Sequence, residues 1–108
     1  MFHEELAMIA VFVTFDYAEG FDRKHILGIA ENASGTFAGM PGLRQKAFTL
    51  DEENRRATNV YLWESEEAAR AFFTPELSQR VTRLYGARAR IEFAEVAALV
   101  DNARAQAA

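Results

Sequence analysis

RATNVYLWESEEAARAFFTPELSQRVTRLYG, residues 56–86, holds one strand and a broken helix, and it decides how the rest of the chain is read. Arg56 to Trp63 is extended: Thr58, Val60, Tyr61 and Trp63 are the β-branched and aromatic types that suit a pleated surface, and neither glycine nor proline interrupts them. Ser65 can cap a helix whose first turn holds Glu66 and Glu67, carboxylates that suit the positive end of a helix dipole. The apolar face of that helix is Ala68, Ala69, Phe72 and Phe73. Thr74 followed by Pro75 is a second start signal, and Leu77, Val81, Leu84 and Tyr85 then recur at helical spacing until Gly86. The helical region is therefore jointed.

Upstream, Leu43 to Leu50 is a second extended segment, separated from Arg56 by the acidic, polar stretch Asp51 to Arg55, which reads as a hairpin loop between antiparallel strands. Before it, Ile26, Ile29, Ala30, Ala33 and Phe37 mark a helix that Gly39, Pro41 and Gly42 end. Met8 to Phe15, MIAVFVTF, is an unbroken apolar run after which Asp16 to Gly20 turns the chain; it reads as a strand buried on both faces. Ile91 to Val100 supplies a last strand, and Asp101 to Ala108 is expected to fray or extend weakly as helix. The order βαββαβ is that of the split βαβ, ferredoxin-like α+β fold, with both helical regions on one face of a four-stranded antiparallel sheet.

The 108 residues fit one domain, with half of them hydrophobic and 26% charged, the balance of a packed globular protein. A net charge of −4 repels phosphates and anionic lipid head groups, so neither nucleic acid nor a membrane surface is an expected partner. No cysteine is present, which excludes disulfides, thiolate nucleophiles and sulfur-ligated metals. Glu4 and Glu5 stand where a secretory leader needs basic residues, and no apolar run approaches the roughly 20 residues of a membrane span, so a cytoplasmic location is expected. G-x-S-x-G, phosphate-binding glycine loops and H-E-x-x-H are all missing, so hydrolase, nucleotide and zinc-protease chemistry lack their defining residues.

Alternation along the third strand sorts Val60 and Leu62 to one side and Asn59, Tyr61 and Trp63 to the other. Small aliphatic side chains suit packing under helices, and an aromatic row left on the open face of the sheet would form an exposed patch. A homodimer stacked sheet on sheet covers such a patch and leaves a cavity in each subunit where the sheets diverge. That arrangement is the expectation: a homodimer with the aromatic row at its sheet face.

GMPGLRQKAF (Gly39 to Phe48), NVYLWESEEAARAFF (Asn59 to Phe73) and the Tyr85–Gly86 pair ahead of the last strand resemble the YdhR-like mono-oxygenases, within the wider antibiotic-biosynthesis monooxygenase group of dimeric α+β barrels. The resemblance runs from about Met8 to Val100. It implies a cofactor-independent monooxygenase that oxidises a small aromatic or polyketide-like substrate, using neither metal nor flavin, with the substrate itself supplying electrons to oxygen. Such chemistry needs a phenolate or enolate, hence hydrogen-bond donors or a cation that stabilise an anion in a dry, apolar pocket. An Asn and a Trp of the pocket carry over to Asn59 and Trp63, four residues apart on one face of one strand.

Beside these two, Tyr61 lies between them on the same face, and Lys46, with Arg44 two residues earlier and Phe48 two later, can bring charge and an apolar wall if that strand faces inward. Lys46 is the third catalytic candidate, while Tyr61, Arg44 and Phe48 are candidates for substrate binding. Each has a plainer reading. Tyr61 and Trp63 also suit dimer core, Asn59 can satisfy its amide across strands, and Lys46 can snorkel to the surface. Neither His3 nor His25 stands in a strand motif as a general base, and His25 reads as a rim residue. Glu52 and Glu53 suit a solvated turn. A non-catalytic dimer that binds a small apolar ligand, or a structural barrel, is the alternative; a lactone isomerase is a third reading that also needs a base.

Overall fold

A computed structural model of the chain describes residues 7–103. His3, Glu4, Glu5 and the end of the expected tail, residues 104–108, lie outside the described residues; of that tail, Asn102 and Ala103 are helical. The elements are β1 (Ile9–Asp16), α1 (Arg23–Phe37), β2 (Leu43–Asp51), β3 (Arg56–Trp63), α2 (Glu66–Phe72), α3 (Pro75–Tyr85) and β4 (Ala89–Glu95). The sheet runs β2-β3-β1-β4 with every neighbour antiparallel, which is the ferredoxin-like α+β arrangement. No helix among the described residues is long and apolar enough to cross a membrane.

Local chemistry sets the helix ends. The side chains of Asp22, Ser65 and Thr74 accept from backbone N–H groups in the first turns of α1, α2 and α3, and Gly86 ends α3 in the left-handed region at φ 76°. The joint at Thr74–Pro75 is real: α2 stops at Phe72 and α3 starts at Pro75. Gly42, at φ 82°, brings the loop after α1 so close to α2 that a Cβ there would stand 2.9 Å from the Ala68 Cβ, and its carbonyl accepts from Glu64 N–H at 2.8 Å.

The last strand is earlier and shorter than expected, Ala89 to Glu95 in place of Ile91 to Val100. Its length follows its partner: Ile9, the first residue of β1, pairs with Glu95, and after one more bond from Val96 N–H to the Met8 carbonyl no strand remains to pair with. At the other end Arg90 and Arg56 both reach the Asp16 carboxylate, at 3.1 and 2.6 Å.

The expectation for the two faces of β3 is reversed. Asn59, Tyr61 and Trp63 are 4%, 3% and 2% exposed and point into the helical layer, alongside Val11, Val13 and Phe15 of β1. Tyr61 meets Phe37 of α1 and Phe72 of α2, Trp63 meets Phe72 and Phe73, and Asn59 meets Tyr85 of α3. Val60 and Leu62 lie on the open face, beside their β1 partners Phe12 and Ala10. Volume explains the reversal. On the inner side of α2, Ala68 and Ala69 leave room between layers, and the large side chains rising from the sheet fill it and pack against Ile29 and Phe37 of α1 and Phe72 of α2.

Candidate active site

A cavity of about 300 Å³ lies between the sheet and the helices, within one protomer. The expectation of a cavity at the sheet face, between the sheets of a dimer, is thus corrected, because the aromatic row that forms its floor faces the helices. Lys46 and Phe48 from β2 and Asn59 and Tyr61 from β3 make the floor. The roof is Ile29, Ala33, Thr36 and Phe37 of α1, Phe72 of α2, and one side of α3 from Leu77 to Tyr85.

Lys46 is half-buried, and its Nζ donates to the Tyr61 hydroxyl at 2.9 Å. Three rings surround the amine, with centroids 3.4 Å (Phe37), 4.0 Å (Phe48) and 4.3 Å (Tyr61) away. Two effects oppose each other there. Burial pushes the ammonium down to about 7, whereas the negative faces of the rings favour its charged form. The result is an amine that can exchange a proton near neutrality. Burial, followed by the nearby Tyr85, holds the Tyr61 phenol well above its ordinary range, so it stays a neutral hydroxyl.

At the other end of the floor, the Asn59 amide donates to the Tyr85 hydroxyl at 3.0 Å. Burial raises the Tyr85 phenol, and the Asn59 bond partly offsets this. The Tyr85 O–H also lies 3.4 Å from the Asn59 Oδ1, to which it can donate, so the two side chains form a buried polar pair beside the cavity. Phe15 stacks on the Tyr85 ring at 3.9 Å and 6°, and Tyr17 O–H donates to the Tyr85 carbonyl at 2.7 Å, which fixes the end of α3 against the sheet.

Of the candidates named from sequence, Asn59, Tyr61, Lys46 and Phe48 come together on the cavity floor. Trp63 is not on the cavity wall; it stacks along β3 against Tyr61 at 6.1 Å and 12°, and its Nε1 is buried without a hydrogen-bond partner among the described residues. Arg44 sits at an irregularity of β2 and lines a separate outer hollow of about 330 Å³ that shares Phe37, Lys46 and Phe48 with the cavity. His25 is at the rim, its Nε2 3.0 Å from the Leu84 carbonyl in the groove between α1 and α3. Among the described residues no cluster of three or more His, Asp or Glu gathers as a metal site.

Two wall residues, Arg80 and Tyr85, escaped the sequence reading of the site. In the sequence Tyr85 reads as the end of the apolar stripe of α3 and as part of the Tyr85–Gly86 pair of the family resemblance, not as a site residue. Arg80 stands three residues after Leu77 and one before Val81, at the margin of that stripe, and this spacing was the available signal. With both included, the cavity wall carries two cations, Lys46 and Arg80, and no carboxylate. In a chain of net charge −4 that is a local inversion of sign, suited to an aromatic anion.

No curated protein matches the sequence. Among solved structures, the fold is similar to a monooxygenase, ActVA-Orf6 of Streptomyces coelicolor in complex with nanaomycin D, at TM-score 0.66 and 19% identity over 92% of this chain and 95% of that one. It is also similar to SnoaB, a cofactor-independent oxygenase of Streptomyces nogalater, at TM-score 0.57 and 15% identity over 88% and 96%. A dimeric ferredoxin-like protein of Thermobifida fusca gives TM-score 0.62 and 16% identity over 82% and 91%. At these identities the structures speak to the fold, and the family is decided by the sequence itself: the model of the family described as "Putative mono-oxygenase ydhR" matches residues 11–98. The chain belongs to the ydhR family of mono-oxygenase-like proteins.

Proposed function

We propose that this chain is a cofactor-independent monooxygenase that oxidises a small electron-rich aromatic or polyketide-like phenol to a quinone in the cavity between sheet and helices. The observation that carries the reading is an aromatic chamber whose charged wall residues, among those described, are both cations. Such a chamber favours the phenolate over the phenol, and the phenolate is the form that gives an electron to oxygen.

In the proposed sequence, neutral Lys46 takes the phenol proton, while the Tyr85 hydroxyl, held by Asn59, donates to the phenolate oxygen. Electron transfer to O₂ gives a substrate radical and superoxide, which join at a ring carbon. Loss of the ring hydrogen and cleavage of the O–O bond release water and leave the quinone, so one O₂ is consumed per phenol and one of its atoms stays in the product. The Phe37, Phe48 and Phe72 rings keep bulk water away from the radical pair. Trp63 acts through Tyr61, whose ring it holds in place.

A homodimer through the open sheet face belongs to the same proposal. Ala10, Phe12, Val60 and Leu62 form a half-buried apolar stripe there, and the Thermobifida fusca protein of similar fold is dimeric. We expect the protein in the cytoplasm.

Oxygen uptake with polycyclic phenols in chelator-treated protein tests the reading. Turnover is expected to rise with pH through about 7, as Lys46 loses its proton. It should fall by about a hundredfold in Lys46→Met and in Asn59→Ala. Saturable binding of phenols with no uptake in the wild type would support the alternative, a non-catalytic ligand-binding protein.

A further inference from the structure

Some arginines of the molecule find carboxylates, whereas Arg44, Arg55, Arg80, Arg83 and Arg88 form no ion pair among the described residues. Arg23 pairs with Glu52, Arg56 and Arg90 with Asp16, and Arg70 with Glu66. The last pair is instructive, because Glu66 and Arg70 are four residues apart on α2 and meet at 2.7 Å. Glu76 and Arg80 have the same order and spacing on α3, yet they form no ion pair, and the exposed Arg80 side chain makes no hydrogen bond with any described residue. Arg80 lines the chamber instead, and it is the only arginine that does. A guanidinium presents a planar fork of donors that matches a carboxylate, and a chamber wall free of acids leaves that fork unoccupied.

The two chamber cations also differ in place and in partners. Lys46 rises from the sheet, enclosed by rings and bonded to Tyr61, whereas Arg80 comes down from α3 on the opposite layer. A ligand that spans the chamber from floor to roof therefore meets one cation at each end.

We propose that the chamber selects an aromatic ligand with two acidic groups at opposite ends: a phenol at the floor, beside Lys46, and a carboxylate that pairs with Arg80 at the roof. This rests on the oxygenase reading for the role of the phenol, but the Arg80 contact is a matter of binding alone. A hydroxyaryl carboxylic acid is then the substrate class, and Arg80 is the residue that sets the orientation in which the phenol meets Lys46. Neutral phenols of the same size fit the same space and lack the anchor.

Equilibrium binding under anaerobic conditions tests it with three probes: 6-hydroxy-2-naphthoic acid, its methyl ester and 2-naphthol. The wild type is expected to bind the acid about tenfold to a hundredfold more tightly than the ester, the range for a charge-assisted pair. Arg80→Gln should abolish that preference while leaving the affinity for 2-naphthol unchanged, and Arg80→Lys should retain part of it. Arg83→Gln removes the same charge from the same helix outside the chamber and should keep the preference. An acid-to-ester ratio that is the same in Arg80→Gln as in the wild type, or a wild type without preference, overturns the inference. Oxygen uptake separates the two claims. Acid preference through Arg80 without turnover of any phenol leaves the anion site standing and removes the oxygenase reading; turnover without acid preference does the reverse.

Discussion

Replacing Lys46 by methionine removes a charge from the chamber and keeps the length of the side chain. Burial lowers the lysine from 10.5 to about 7, so at pH 6 the folded protein holds a buried ammonium that the unfolded chain keeps in water. At 1.36 kcal/mol per tenfold change in proton affinity, that fall sets a ceiling of about 5 kcal/mol on the destabilisation. The side chain is only half-buried and three ring faces favour its charge, so the ceiling must be discounted, and we expect about 2 kcal/mol. Below about 7 both states are protonated and the full penalty is present. From about 7 to 10.5 the unfolded chain binds the proton and the folded one does not, so wild-type stability rises with pH; the methionine variant has no such group and no such rise. Urea denaturation followed by circular dichroism between pH 6 and 9.5 measures this directly, below the range in which the tyrosines ionise. The variant should be the more stable at pH 6 by about 2 kcal/mol, with the gap narrowing toward pH 9.5 and closing only above 10.5, where the unfolded chain also loses the proton. Parallel stability curves for the two proteins across that range would refute a lowered proton affinity for Lys46, and with it the role of proton acceptor.

Gly42→Ala should destabilise the fold by about 2 kcal/mol or more, read as a lower urea midpoint, since it puts a side chain at φ 82° and within 2.9 Å of the Ala68 Cβ. If the wild type is the proposed dimer, Leu62→Asp, in the middle of the open apolar face and away from the chamber, should yield a monomer in sedimentation analysis while circular dichroism stays unchanged; a monomeric wild type, or a variant that sediments like it, would refute a dimer through this face.

Much of the fold was legible because its signals are local. The ends of β3 at Arg56 and Trp63, the cap at Ser65 and the restart at Thr74–Pro75 each depend on a few neighbouring residues. The face of β3 was not legible in the same way. A period of two says that Asn59, Tyr61 and Trp63 share a side, but it does not say which side the helices cover. The missing information lay in another segment: the two alanines of α2, Ala68 and Ala69, leave room for a sheet surface made of Tyr and Trp. The end of β4 depended likewise on where β1 begins, far away in sequence. Within the site, the strand residues Lys46, Phe48, Asn59 and Tyr61 were found together because alternation groups them, whereas Tyr85 and Arg80 arrive from a helix whose register against the sheet only tertiary packing defines.

The sheet order has a mechanical consequence for this chamber. Strand β3, which carries Asn59 and Tyr61, is hydrogen-bonded on both sides, while β2, which carries Lys46 and Phe48, is an edge strand bonded on one side only. The chamber thus has one stiff wall and one compliant wall. Outward flexing of β2 can admit ligands of different thickness without breaking the central β1–β3 frame, so size is a weak filter here. Discrimination among flat aromatic compounds then rests on where their charges fall.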